Sequence, residues 1–364
     1  MADNVDNSQT EDCQTPVRLS GADIRLFILE NVGKHSKEIG ALTAKHFGIT
    51  RQAVSKHLQK LVAEKALRAD GATRNKTYQL AVLSALNKQY PITADLAEDL
   101  VWSRDVSPLI GNLPRNVLDI WHFCFTEMFN NAIDHSGGTY IGVELVKTAV
   151  GTEILVYDNG VGIFRKIQKA LSLLDERHAV LELAKGKLTT DPDKHTGQGI
   201  FFTSRLLDSF QIMSGGVYFS HEGADTADWI LEVPKGTARG TGIFMKLNNH
   251  SERQDTTIFE QYTSGEDFGF TKTVVPVRLA QYGEDRLISR SQAKRLLSRV
   301  DRFQVVIFDF EGVETIGQAF ADEIFRVYAR SHPKIEFHEV NATPQVQQMI
   351  NAARAQWASE IGGF

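Results

Sequence analysis

The spacing of apolar residues predicts three short helices and then a hairpin near the start of the chain. One helix is capped by Ser20, a second covers about 38–47, and a third is capped by Thr50. Apolar side chains recur at helical spacing at Ile24, Phe27 and Ile28 in the first helix and at Val54, Leu58, Leu61 and Val62 in the third. Leu67–Leu80 alternates in places and turns at Asp70-Gly71, which predicts a β-hairpin.

A long apolar helix is predicted at Leu113–Ser136, with Pro114 in its first turn. Because this helix is apolar almost all round, we expect it to be buried. The strands predicted after it are Tyr140–Thr148, Glu153–Tyr157, Gln211–Met213, Val217–Ser220, Asp228–Val233 and Gly242–Leu247. A further helix is predicted at Ile200–Phe210, whereas residues 81–112 show no clear period. This order predicts an α/β sandwich with a mixed sheet.

From residue 256 to 364 the pattern alternates between strand and helix. The strands are Val274–Arg278, Gln304–Phe310 and Ile335–Val340, and the helices are Ser289–Arg299, Gln318–Tyr328 and Pro344–Arg354. The chain is therefore predicted to be a multidomain α/β protein. Its expected parts are a disordered tail at 1–16, a helical module at 17–82, an α/β sandwich at 83–250 and a small α/β domain at 256–364.

Composition excludes several classes of protein. Two cysteines, Cys13 and Cys124, are too few for a disulfide framework or a cysteine-rich zinc site. No apolar stretch suits a signal peptide or a membrane span. We therefore expect a cytoplasmic protein with reduced thiols.

Charge is distributed unevenly along the chain. The formal net charge is -5, yet Lys34–Leu80 holds ten Lys or Arg against three Asp or Glu. A basic module joined to an acidic body suggests that the module meets a polyanion.

The helices and the basic hairpin of this module resemble the winged helix-turn-helix of bacterial repressors. The resemblance implies a recognition helix in the major groove of DNA and a wing that reaches phosphates or the minor groove. The implied contact residues are Thr50, Arg51, Gln52, Ser55 and Lys56 in the helix and Arg74 and Lys76 in the wing. The alternative is a helical protein-interaction module with a solvated basic face.

Three polar residues of the long helix, Glu127, Asn131 and Asp134, share one face at i, i+4 and i+7. A buried carboxylate without a partner is costly, so the row requires a cation, a ligand or neighbouring caps and salt bridges. The last of these is the alternative that involves no ligand.

Two glycine-containing segments follow the helix. Asp158-Asn-Gly160-Val-Gly162 comes directly after an apolar strand, where such a turn is otherwise an ordinary hairpin. Gly197-Gln-Gly199 lies where a loop becomes a helix, and the positive end of that helix could face phosphates.

Together the three segments resemble the GHKL family of ATP-binding proteins, which includes gyrase, Hsp90, MutL, histidine kinases and anti-sigma-factor kinases. The resemblance implies that Asn131 coordinates Mg²⁺ on the ATP phosphates and that Glu127 is the general base. Asp134 matches the acid of gyrase and MutL relatives, and His135 matches the histidine of anti-sigma kinases.

The same resemblance places adenine against Asp158, with Gly160 and Gly162 close to the base and Thr241 assisting. Gly197 and Gly199 would contact phosphate, although His195 stands where the family often has another glycine. Residues 164–196 would form the lid over ATP. Its lysines Lys187 and Lys194 could contact phosphate, but we expect them to be solvated.

The segment Val305–Phe320 resembles the STAS-like domain that accompanies such ATPases. In the related anti-anti-sigma factors a phosphorylated serine precedes the next helix, but here that stretch is Gly317-Gln-Ala-Phe320. A protein-interaction or dimerisation module is therefore expected, without phosphotransfer at this position.

The function predicted from the sequence is an ATP- and Mg²⁺-binding, DNA-binding transcriptional regulator switched by nucleotide, with slow hydrolysis at most. One alternative is a serine/threonine protein kinase that acts on a separate partner, as anti-sigma kinases do. Another is an ATP-driven clamp on DNA akin to MutL.

Overall fold

The computed structural model describes residues 20–72, 75–188, 197–222, 229–232, 239–264, 269–281 and 286–361. The chain divides into two compact units, one up to Leu83 and one from Ser84 onward. The predicted tail at 1–16 lies outside the described residues. The predicted parts 83–250 and 256–364 both belong to the second unit.

The first unit consists of three helices and a hairpin. Its elements are α1 Gly21–Asn31, α2 Ile39–Phe47, α3 Arg51–Ala63, β1 Leu67–Asp70 and β2 Thr77–Leu80. Ser20 and Asp23 form a reciprocal capping box that starts α1. Ile28, Val32 and Val54 are fully buried in a core that belongs to this unit alone. Because Asp70 pairs with Thr77, the turn spans several residues and is wider than the tight turn predicted at Asp70-Gly71.

A seven-stranded sheet forms the centre of the second unit. Its strands are β3 Ser84–Pro91, β4 Tyr140–Lys147, β5 Gly151–Asp158, β6 Ser209–Ser214, β7 Val217–Glu222, β8 Trp229–Glu232 and β9 Thr241–Asn248. The spatial order is β3-β4-β5-β9-β6-β7-β8, and every adjacent pair is antiparallel. The prediction of a mixed sheet was therefore wrong. Strands β5 and β6 do run in the same direction, but β9 inserts between them and pairs with both in the antiparallel sense.

Helices pack with alternating residues of this sheet in one hydrophobic core. They are α4, built from Glu98–Val101, Trp102–Val106 and Ser107–Ile110, then α5 Arg115–His135, α6 Ile163–Ala170, α7 Glu176–Lys185, α8 Gly199–Leu206 and α9 Asp255–Tyr262. Trp121, Phe125 and Phe129 of α5 are fully buried, whereas His122 is exposed. The helix is thus buried along one side rather than all round. Helix α8 ends at Leu206, earlier than predicted, because Phe210 already belongs to β6.

Residues 81–112, which show no clear period, contribute β3 and α4. Strand β3 lies at the edge of the sheet, and its less exposed face carries the polar residues Ser84 and Lys88 besides Leu86 and the buried Tyr90. Its pattern therefore lacks the apolar face by which strands are recognised in a sequence.

The C-terminal part of the second unit has a parallel three-stranded sheet in the order β12-β13-β14. The short strands β10 Thr263–Ser264 and β11 Gly269–Phe270 precede β12 Lys272–Pro276, β13 Val305–Asp309 and β14 Glu336–Val340. The helices are α10 Arg290–Leu297, α11 running through Gln318–Asp322, Glu323–Tyr328 and Ala329–Ser331, and α12 Pro344–Ile361, with short 3-10 turns at Val277–Ala280 and Val300–Arg302. The predicted strand 274–278 ends at Pro276 because the chain enters a 3-10 turn at Val277.

Candidate functional site

A cavity of about 360 Å³ opens beside the end of β5, in the size range of small-molecule sites. Most of the residues singled out in the sequence line it. They are Glu127, Asn131, His135, Asp158, Gly197, Gly199 and Thr241. Segments far apart in the chain thus meet at one concave surface.

Helix α5 forms one wall of the cavity. Glu127, Asn131 and His135 line it at i, i+4 and i+8 and are half-buried. Asp134 is exposed and does not line the cavity. The expectation of a buried polar row was therefore wrong, since Glu127 and Asn131 are only half-buried and Asp134 is exposed.

The carboxylate of Glu127 lies against the first residue of α8. A Cβ atom built on Gly199 would overlap Glu127 Oε2. Gln198, the N-cap of α8, makes no side-chain capping bond. Glu127 thus places negative charge at the positive end of this helix, a favourable arrangement in its own right. The alternative of a structural cap is therefore compatible with this geometry.

Asp158 ends β5 at the floor of the cavity and is only 8% exposed. One carboxylate oxygen accepts a hydrogen bond from the Gly160 backbone N–H at 2.8 Å. Burial raises the pKa of Asp158, although hydrogen bonds from the backbone of Gly160 and Thr241 oppose that change. A buried carboxylate that faces a cavity is suited to accept a hydrogen bond from a polar ligand.

The turn after β5 requires glycine because the backbone packs closely there. A Cβ atom on Gly160 would overlap the carbonyl oxygen of Ser136, just after α5, and Gly162 has a left-handed φ of 92°. The Val161 N–H also donates to the Ser136 oxygen at 2.9 Å. The Thr241 hydroxyl oxygen, at the start of β9, accepts from the Ile163 N–H at 2.9 Å. These bonds fix the Asp158 turn against α5 and β9.

Gly197 and Gly199 line the cavity where the chain leads into α8. Gly197 has φ 70° and packs on the backbone of Leu188, whose N–H donates to the Gly197 oxygen at 3.2 Å. Lys187, which was expected to be solvated, is half-buried and is not among the lining residues, and its ammonium group donates to the Arg302 oxygen at 2.8 Å. Lys194 and His195 lie outside the described residues.

The predicted lid, 164–196, contains two regular helices, α6 and α7, in its described part. Lys166 of α6 lines the cavity, and its ammonium group donates to the His135 carbonyl at 2.8 Å. Burial lowers the pKa of Lys166. Sequence reasoning missed this residue because a lysine on a short amphipathic helix resembles any solvated lysine.

The predicted DNA contacts of α3 are mainly exposed. Arg51, Gln52 and Lys56 are exposed and Ser55 is half-buried. Thr50 is also exposed and caps α3 as predicted, since its hydroxyl accepts the Ala53 N–H at 3.2 Å. In the hairpin, the Lys76 ammonium lies 5.3 Å from the Tyr78 ring centre, and Arg74 is outside the described residues.

Gly317 begins the stretch in which the sequence resemblance places the serine of anti-anti-sigma factors, and the structure leaves no space for a side chain at this residue. A Cβ atom on Gly317 would lie 2.8 Å from Cα of Ile288, and the Gly317 N–H donates to the Leu287 oxygen at 2.7 Å. A side chain at 317 would therefore require the segment around Ile288 to move.

Residues 292–347 match the family model described as a STAS-like domain of unknown function (DUF4325). The chain therefore carries a STAS-like domain, which extends from α10 into α12. A search of the curated proteins returned no match. Within the described part of the chain, no helix has both the length and the apolar character needed to cross a membrane.

Proposed function

We propose that the cavity of the second unit binds ATP with Mg²⁺ and that the chain is a DNA-binding regulator switched by this nucleotide. One observation supports the proposal above all. A buried carboxylate, Asp158, faces the same cavity as Glu127 and Asn131 on the opposing helix and as a helix N-terminus at Gly199.

Adenine would occupy the end of the cavity next to the sheet. Asp158 would accept a hydrogen bond from the exocyclic amino group, which recovers part of the cost of burying the carboxylate. Apolar side chains beside it, Val156, Ile163 and Ile243, would pack on the ring. Asp158 and its two supporting backbone bonds thus select a base with a donor at this position.

The phosphates would extend toward Gly197 and Gly199. The amide groups at the start of α8 and the Lys166 ammonium supply positive charge there. The Asn131 side-chain oxygen would complete the Mg²⁺ shell, since this ion usually takes only one or two protein oxygens besides phosphate and water. Bound Mg²⁺ would neutralise phosphate charge.

Glu127 is the only carboxylate besides Asp158 among the described residues that line the cavity. It would orient a water molecule toward the terminal phosphate and accept its proton. Its contact with Gly199 holds the carboxylate beside the start of α8, where the phosphates would lie.

For the first unit, DNA binding is supported by the exposed Arg51, Gln52 and Lys56 on α3. A helix of this kind, preceded by a turn and followed by a hairpin, suits the major groove of DNA. The predicted excess of basic residues in this unit would provide the phosphate contacts.

The switch is tested by DNA affinity in three nucleotide states. Fluorescence anisotropy with a pool of labelled duplexes is measured without nucleotide, with Mg–ADP and with a non-hydrolysable Mg–ATP analogue. We expect at least about a fivefold difference in Kd between two of the states. Equal affinity in all three would contradict the switch, since a ligand shifts only an equilibrium whose states it discriminates.

A second candidate is a protein kinase that phosphorylates a separate partner. The steric closure at Gly317 favours a separate acceptor over the chain's own STAS-like domain. Transfer of labelled γ-phosphate to a protein in lysate would support the kinase, whereas release of inorganic phosphate alone would support the switch. STAS-like domains commonly mediate protein interactions, so this domain would bind the partner in either case.

A further inference from the structure

A buried cluster of charges connects the cavity to the STAS-like domain. Glu182 and Lys185 of α7 have side chains only 3% and 1% exposed, and their charged atoms are 2.7 Å apart. Arg299, which follows α10, is 13% exposed and lies 3.1 Å from the second oxygen of Glu182. Burial of three charges is tolerated here because each one has a close partner.

Arg299 binds both the Glu182 side chain of α7 and the backbone of the segment that follows α7. Its Nη1 donates to Glu182 Oε2 at 3.1 Å and its Nη2 donates to the Lys187 carbonyl at 2.5 Å. In the opposite direction, the Lys185 ammonium group of α7 donates to the carbonyl of Ser298, the residue before Arg299, at 2.7 Å. Thr273 of β12 donates to the Lys185 carbonyl at the same distance. The planar guanidinium suits this forked contact, which a lysine could not reproduce.

The segment that Arg299 holds leads directly into the cavity wall. Leu183 and Leu188, on either side of Lys187, both line the cavity. The Leu188 N–H donates to the Gly197 oxygen, and Gly197 also lines the cavity. A shift of Lys187 would therefore move the wall at the end where the phosphates are proposed to lie.

We infer that Arg299 of the STAS-like domain is a positioning residue of the nucleotide site, so that nucleotide binding and the docking of this domain on α7 are coupled. The inference rests on the proposed function. By linkage, a nucleotide that binds better when Arg299 is docked must stabilise that docking to the same degree. A partner of the STAS-like domain that displaces Arg299 would therefore weaken nucleotide binding.

The test compares the Kd values of Mg–ATP and of AMP for Arg299→Gln by calorimetry. The control is Arg354→Gln, since Arg354 of α12, whose side chain is 38% exposed, also makes a forked pair, with the two oxygens of Glu339 of β14 at 2.7 and 2.6 Å. We expect Arg299→Gln to weaken Mg–ATP about tenfold and AMP less than about twofold. Arg354→Gln should leave both Kd values within about twofold.

Equal Kd values for wild-type and Arg299→Gln would overturn the inference while leaving the nucleotide site intact. A loss of similar size in Arg354→Gln would also overturn it, because general destabilisation would then suffice. If the wild-type protein bound no nucleotide, the proposed function itself would fail. Should Arg299→Gln not fold, hydrogen exchange of the wild type decides: Mg–ATP must slow exchange in residues 298–303, and unchanged exchange there refutes the coupling.

Discussion

The carboxylate of Glu127 and the α-carbon of Gly199 are in direct contact, with no room for a side chain between them. One residue belongs to α5 and the other begins α8. The contact brings an acid to the positive end of a helix at the mouth of the cavity. It also explains why residue 199 is glycine although its φ is not left-handed.

Gly199→Ala is expected to displace the Glu127 carboxylate or the start of α8. Either movement would disturb the proposed phosphate end, so the Kd of Mg–ATP should rise at least about tenfold. Gly269→Ala is a suitable control because its Cβ would meet only an ordinary contact at 3.6 Å. Calorimetry measures the Kd of Mg–ATP for both variants. An unchanged Kd in Gly199→Ala would argue against phosphates at this position.

Glu127→Gln separates the catalytic role of Glu127 from its role as a cap. The amide keeps an oxygen near α8 but cannot accept a proton from water, so phosphate release should fall at least about a hundredfold. Mg–ATP binding should stay within about threefold. An assay of phosphate release measures the turnover, and calorimetry measures the Kd of Mg–ATP. A lower Tm with normal turnover would assign Glu127 to capping alone.

Asp158→Asn is expected to stabilise the nucleotide-free protein at neutral pH. Burial raises the pKa of Asp158 above its ordinary value of 3.8, so ionisation disfavours the folded state. The contribution of this group to stability is fully present below the unfolded pKa and is lost as pH rises through the raised folded pKa. Asparagine cannot ionise, so the variant keeps this contribution to stability as the pH rises. Its Tm should therefore exceed that of the wild type at neutral pH, and the difference should vanish on acidification to about pH 3.

Thermal unfolding at several pH values tests this sign. A Tm of Asp158→Asn below that of the wild type at neutral pH, or a difference that grows with acidification, would contradict the cost assigned to the buried carboxylate.

Lys185→Met should destabilise the second unit far more than a surface lysine variant. Removal of Lys185 leaves Glu182 buried with one partner fewer, at a cost of about 3 kcal/mol in the free energy of unfolding. Lys246→Met is the control, because Lys246 pairs with Glu153 where both side chains are more than 40% exposed. Its cost should be below about 1 kcal/mol. Urea unfolding measures both, and similar costs would mean that the buried cluster contributes little.

Lys56→Ala should weaken DNA binding similarly for every duplex sequence and reduce the slope of log Kd against log salt by about one. The reason is that an exposed lysine on α3 is positioned for a phosphate rather than a base. Lys65→Ala, beyond the C-terminal end of α3, is the control and should leave the slope unchanged. Anisotropy titrations at several salt concentrations measure the slopes. Identical slopes for both variants would argue against α3 as the recognition helix.

Elements with a strong period could be predicted from the sequence. Ser20 and Thr50 cap α1 and α3 as expected, because a hydroxyl followed by a helical apolar pattern is a local signal. Edge strand β3 could not be recognised, since the polar residues Ser84 and Lys88 interrupt its less exposed face. The antiparallel order of the large sheet depends on β9 pairing between β5 and β6, which is a long-range choice.

The sequence motifs predicted cavity residues correctly at positions where the backbone geometry requires a particular residue type. Asp158 and Gly160 lie at a turn that only a glycine can make against Ser136. The sequence motifs could not show that Asp134 is exposed or that Lys166 lines the cavity. They also gave no indication of the Arg299–Glu182 contact, because it joins α7 to a residue more than a hundred positions later.

Calorimetric titration of the wild-type protein with ATP, with and without Mg²⁺, addresses the nucleotide site most directly, with Asp158→Asn measured in parallel. We expect saturable heat from one site per chain, stronger with Mg²⁺, and no detectable heat with Asp158→Asn. Absence of heat and of any Tm increase in the wild type, or equal binding by Asp158→Asn, would contradict a nucleotide site in this cavity.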